Sequence, residues 1–217
     1  MRSALFGAAA AALAALAVSA CAPKPPDFQS ILTTTATGAA ATTTARPVPF
    51  AEYLEGIGVS GVPVAPNTLT DLTASVPTPP GWAPYRNPKL PPTTEVISKG
   101  GKYPAAMLTV FKLRGADLNA ADAVKHANAD AQLVPNFTQL DASTADFNGF
   151  PSSMIQGSYD QDNIRMHSYN RIVLPIGSPP GKQRYLVQLT ITSLANEAVA
   201  QSSDIEAVIR GFVVAAK

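Results

Sequence analysis

The chain of 217 residues contains a single cysteine, Cys21. No disulfide can close within it, and no cysteine-based metal cage can be built. Histidine is nearly as scarce: His126 and His167 stand far apart, with no neighbour at ligand spacing. No metal and no cofactor are expected. An excess of one charge is also missing, since 16 Lys and Arg face 15 Asp and Glu. A nucleic-acid-binding surface needs a positive footprint to release counterions, so no nucleic-acid partner is expected.

Catalytic motifs are missing as well. Gly149-Phe150-Pro151-Ser152-Ser153 lacks the second glycine of a nucleophile elbow and carries a proline inside it. Gly100-Gly101-Lys102 lacks the spacing and the following hydroxyl of a phosphate-binding loop. Asp160 and Asp162 share a turn without the calcium-loop pattern. His126 falls in a helical stretch and His167 on a strand, and neither has a nucleophile nominated beside it. No catalytic residue can be assigned, and no enzyme is expected.

What is present begins at the N-terminus. Arg2 precedes an apolar run over residues 4–18, mostly alanine. Such a run has the layout of a secretory signal and falls short of the roughly twenty residues a spanning helix needs. It ends in Val18-Ser19-Ala20-Cys21. That boundary is similar to the bacterial lipobox, which implies a diacylglycerol thioether on Cys21, cleavage before it, and acylation of the freed amine. A thiolate is the nucleophile such a transfer requires. Each buried methylene of the acyl chains, palmitate or similar, contributes about 0.8 kcal/mol, so two or three chains anchor the protein. Residues 1–20 are therefore expected to be a cleaved signal peptide. The mature chain is expected on the cell membrane, lipid-anchored and facing the periplasm or cell envelope.

Residues 21–49 carry the lipidated cysteine and a Thr/Ala/Pro-rich tether, including the tract over 33–44. With no apolar periodicity and few large side chains, this segment cannot offset its ordering entropy by burial. Its composition suits an O-glycosylated stalk and a plain spacer equally.

Residues 50–217 read as one domain. The spacing predicts a short helix from Phe50 through Tyr53 and Leu54, ended by Gly56 and Gly58. Strands are predicted over 69–76, 95–98 and 106–113. A helix follows over 119–134, capped by Asp117 or Asn119 and stopped by Pro135. Further strands cover 137–141, 152–159, 164–174 and 184–192, with Asp160-Gln161-Asp162-Asn163 as a hairpin turn. Alternation in the last strand predicts one face more buried than the other. In the final helix Ser203 and Glu206 fit a capping box, and Ile205, Val208, Ile209, Phe212 and Val213 form a core-facing stripe. Hairpin-linked strands with helices before, between and after them indicate an α+β fold, an antiparallel β-sheet with helices packed on it.

Tyr53-Leu54, Gly58-Val59, Pro63-Val64 and Val76-Pro77-Thr78-Pro79-Pro80-Gly81-Trp82 resemble the opening of the LpqN/LpqT family of mycobacterial lipoproteins. The order of later elements, with Asn148-Gly149-Phe150 before a strand, resembles that family too. The resemblance implies a PsbP-like α/β/α sandwich and a non-enzymatic accessory or binding module of the cell envelope. It also implies acylated or glycolipid ligands, such as trehalose mycolates, and mycolate transport or transfer proteins as partners. An interaction subunit of an envelope transporter, with no small ligand, is the alternative.

Trp82, Tyr85, Met107, Phe111, Met154 and Met166 are large or adaptable groups near strand ends and turns. Such residues line acyl pockets and also fill ordinary cores. With the family resemblance they are the candidate ligand-binding residues. Phe137, Phe147 and Phe150 read as core.

Overall fold

The computed structural model describes residues 46–217; the signal peptide, Cys21 and nearly all of the tether lie outside the described residues. The elements run α1 (Phe50–Gly56), β1 (Val59–Val64), β2 (Leu72–Ser75), β3 (Trp82–Pro84), β4 (Glu95–Lys99), β5 (Ala105–Gly115), α2 (Ala120–Ala123), α3 (Ala129–Gln132), β6 (Thr138–Ser143), β7 (Ser152–Gln161), β8 (Ile164–Val173), β9 (Tyr185–Leu194), α4 (Ser202–Gly211) and β10 (Val213–Ala216).

Eight strands form one antiparallel sheet in the order β3-β4-β5-β9-β8-β7-β6, with β1 also on β5. β4 and β1 share one edge of β5 end to end: Glu95 lies opposite Leu108, and Val64 opposite Val110. β9 takes the other edge. At the far end of β5, Gly115 has φ +102, and a Cβ there would collide with the Gly58 carbonyl oxygen. Only glycine allows that approach. The β7–β8 hairpin turns on Asp162 and Asn163, both left-handed (φ 51 and 62). This is a two-residue turn of a kind Asp and Asn tolerate, so the strands extend further into the predicted turn than expected.

Helices and a ribbon cover both faces. On one face, α4 and the β2–β10 ribbon bury Leu72, Val208, Phe212 and Val214 against Leu108, Val187, Leu189 and Ile191. On the other, α1 and the α2–α3 segment bury Phe50, Leu54 and Val124 against Leu113, Ile172 and Leu186. The domain is thus an antiparallel sheet with helices on either side, as expected. β9 departs from the predicted half-burial: Leu186, Gln188, Thr190 and Thr192 are as buried as the apolar residues between them. The polar members of that face are partly satisfied by one another. Gln188 donates to Thr190 at 3.3 Å, and Thr190 donates to Asn170 at 2.8 Å.

Two helix predictions are corrected. The helix expected over 119–134 starts as predicted, with the Asn119 side chain accepting from the Asp122 N–H, but breaks into α2 and α3. Between them Lys125, His126 and Ala127 donate to carbonyls three residues back, which tightens the chain. Ala123, Val124, Ala127, Ala129 and Ala131 are all buried. No single face of a 3.6-residue helix holds them all, since Ala129 falls outside the stripe formed by the others. In the last helix the capping box does not form: the N-cap is Gln201, with no side-chain cap bond. The helix ends at Gly211, so Phe212 and Val213 are extended. Phe212 is still buried, but Val213 is 38% exposed, because strand alternation replaces the helical stripe from there on.

Candidate ligand-binding groove

The six predicted ligand-binding residues do not line one cavity. Trp82 and Met154 lie in the main core on the α4 side. Trp82 is 6% exposed, and its indole N–H has no acceptor. Tyr85 and Met107 belong to a small cluster with Val96, Leu90 and Tyr103 near β4. Met166 is buried on the face opposite α4, beside Leu194. Phe111 borders the cavity beneath α1. Phe137, Phe147 and Phe150 are half-buried.

An apolar recess lies on the α4 side. There α4 presents Val208 to the core while Ser202, Glu206 and Ile209 line the recess with Gln156 and Ser158 of β7 and His167 and Tyr169 of β8. The residues before α4 wall off one side, Leu140 of β6 the other, and His167 and Tyr169 form part of the floor. The resulting groove has a volume of about 490 Å³, within the range of small-molecule sites. Its apolar lining continues to the rim: Leu140 is 61% and Val199 87% exposed. Ile209, expected in the core stripe, is half-buried: it packs against the main core and also lines this groove.

The polar lining is almost uncharged. Burial holds His167 below its ordinary pKa and so neutral at physiological pH, and its Nε2 lies 2.9 Å from the Gln156 amide nitrogen. Glu206, on the rim, is the remaining ionisable side chain apart from Tyr169. Ser158 sits opposite His167 in the β7–β8 ladder. The pair is not arranged as nucleophile and base, because Ser158 accepts from Arg165 at 2.7 Å and His167 engages Gln156. The groove can therefore hold an apolar chain and offer amide, imidazole and hydroxyl groups to a neutral polar head.

Sequence reasoning missed Leu140, Val199 and Glu206. The one available signal was a lone large aliphatic residue in an otherwise small or polar stretch, as in Gln139-Leu140-Asp141 and Ala198-Val199-Ala200.

Residues 46–215 match the family model described as "Probable lipoprotein LpqN". The chain belongs to the LpqN lipoprotein family. Among similar relatives, the protein named "Putative lipoprotein LpqT" of Mycobacterium tuberculosis strain H37Rv is 66% identical over 97% of this chain and 94% of its own length. Its counterpart in Mycobacterium leprae is 59% identical over 96% and 95%. The crystal structure of LpqN, a protein described as involved in cell envelope biogenesis of Mycobacterium tuberculosis, superposes with a TM-score of 0.62 at 18% identity. It covers 76% of this chain and 95% of that one, a likeness of fold.

Proposed function

We propose that this LpqN-family protein is a non-enzymatic binding module of the cell envelope, anchored through Cys21, that holds the acyl chain of a neutral-headed glycolipid in the α4 groove. The observation that carries the reading is the groove itself. It has an apolar floor and rim from Leu140, Tyr169, Val199 and Ile209, with uncharged hydrogen-bonding groups from Gln156, Ser158 and His167 among them. A sugar such as trehalose presents hydroxyls that those groups complement, and an acyl chain needs the apolar surface. In this role the protein would hand acylated components, trehalose mycolates among them, to transport or transfer proteins. No helix among the described residues is long and apolar enough to cross a membrane; the anchor proposed here is Cys21, on the lipobox-like sequence that ends in it.

The test uses the mature chain, residues 21–217, carrying Cys21→Ala and stripped of lipid. Titration with a single-chain trehalose ester below its micelle threshold should give saturable binding, and Ile209→Glu should abolish it. If the folded protein shows no saturable binding to any acylated sugar, the groove is a protein-docking surface and the interaction-subunit reading takes over. In cells, Cys21→Ala should lose both incorporation of an alkyne fatty acid and membrane retention. Retained label in that variant would refute the anchor.

A further inference from the structure

Beneath α1, on the face of the sheet away from the groove, lies a second cavity of about 160 Å³. Leu54, Val59, Phe111, Leu113, Ile172 and Leu186 line its apolar walls. Asp130 and Gln188 sit where it meets a smaller cavity that continues toward Asn170. Asp130, in α3, lies seven residues after Ala123 and three after Ala127, on the buried side of the α2–α3 segment.

Asp130 is 6% exposed. Its hydrogen-bond donor is the Phe50 backbone N–H, 3.4 Å from each carboxylate oxygen, which is long for such a bond. The influences on its carboxyl are burial and the Phe50 N–H, and Lys99, Lys125, Arg165 and Arg184 pair with other acids. Burying a carboxylate without a cation is unfavourable, and its neighbours leave the deficit open. Gln188, on the cavity wall, donates one amide N–H to Thr190 and carries a carbonyl oxygen as a further acceptor. The other charged residue of the lining is also acidic, the exposed Glu55 near the mouth.

We infer that the cavity beneath α1 is a binding site for a short primary alkylammonium. Its cationic head pairs with Asp130 and donates to the Gln188 carbonyl, and its apolar body lies among Leu54, Phe111 and Leu186. An ammonium brings three donors and a full positive charge, which matches two acceptors and an uncompensated anion. A neutral alcohol supplies one donor and no charge, and a carboxylate is repelled. Size points the same way: an apolar cavity of about 150 Å³ holds a benzene-sized body, so a chain of about six carbons fills this one.

The test is a calorimetric titration of the mature chain, residues 21–217 with Cys21→Ala, at neutral pH against hexylamine hydrochloride, 1-hexanol and sodium hexanoate. Hexylamine should saturate and bind about tenfold or more tightly than hexanol, the margin of a charge-assisted over a neutral hydrogen bond. Hexanoate should not bind. Asp130→Asn, which removes a buried charge and should not unfold the domain, should bring hexylamine down to the hexanol level. Leu186→Phe, which fills the cavity while leaving Asp130 in place, should weaken both. Equal affinity for hexylamine and hexanol, no binding of hexylamine, or full hexylamine affinity in Asp130→Asn would each overturn the assignment.

Discussion

The Tyr185 hydroxyl donates to the Asp71 carboxylate at 2.6 Å, joining two residues 114 positions apart. Tyr185 opens β9, and its ring is 2% exposed. Asp71 directly precedes β2, and its backbone carbonyl also accepts from Ser178 and Lys217. One short segment is thereby tied to the main sheet, to the turn before β9 and to the C-terminus. Burial, and then the bond to Asp71, push the Tyr185 hydroxyl well above its ordinary pKa. Tyr185→Phe keeps the packing and deletes the bond. It should cost about 1–3 kcal/mol, as for other hydrogen bonds to a charged group. A lowered urea midpoint at unchanged slope would show it.

Asp130 makes stability depend on pH in the opposite sense to an ion-paired acid. Burial raises its pKa from 3.8 to about 6, against a smaller lowering by the Phe50 N–H. The folded state therefore keeps a proton that the unfolded chain has already lost. The group's stabilising contribution is complete below pH 3.8 and disappears as pH rises through about 6. At about 1.4 kcal/mol per pH unit the ceiling is about 3 kcal/mol. Asp130→Asn should be more stable than the parent at neutral pH. The gap should close as pH is lowered from about 7 to about 4, measured by denaturation at each pH. A gap independent of pH would show that the carboxyl is not displaced.

Three neighbouring residues of the last helix and its cap separate core from groove. Phe212 is 3% exposed and stacks on Phe147 with ring centroids 5.2 Å apart, so Phe212→Ala should cost about 3–5 kcal/mol. Ile209 is half-buried and faces the groove. Its alanine variant should lose about 1 kcal/mol of stability while weakening acyl-sugar binding. Arg210 is exposed, and Arg210→Ala should change neither by more than about 0.5 kcal/mol. Thermal melts paired with binding titrations distinguish the three.

Trp82 should act as a core residue. It is buried with its N–H unpartnered, so Trp82→Ala should destabilise by about 3–5 kcal/mol. Trp82→Phe, which also removes an unsatisfied donor, should cost clearly less. Native emission should be that of a buried indole and should shift little when ligand enters the α4 groove. A selective loss of lipid binding in a fully stable Trp82→Ala protein would contradict this placement.

Much of the fold was legible in the chain. The apolar run of β5, the Asp-Asn turn of the β7–β8 hairpin and the Asn119 cap are local signals, set by backbone sterics and the two-residue strand period. Pattern and turns were enough for an antiparallel sheet with helices. The groove was not legible, because its residues come from β6, β7, β8, α4 and the segment before α4, and nothing local distinguishes Ile209 from Val208. Both fall on the apolar side of one helical stripe, and only the position of α4 over the sheet sends one into the core and the other to the rim.

The same limit explains Trp82 and β9. The proline-glycine turn put Trp82 at its end but did not show that Trp82 opens the short strand β3. Whether that position is wet or covered depends on the β2–β10 ribbon and α4, which are distant in sequence. The alternation along β9 correctly gave two chemically different faces. Periodicity records which side chains share a face, while burial depends on what the rest of the chain lays over it. Tertiary structure alone decided that helices would cover the polar face too, burying Gln188 and Asp130 on the walls of the same cavity.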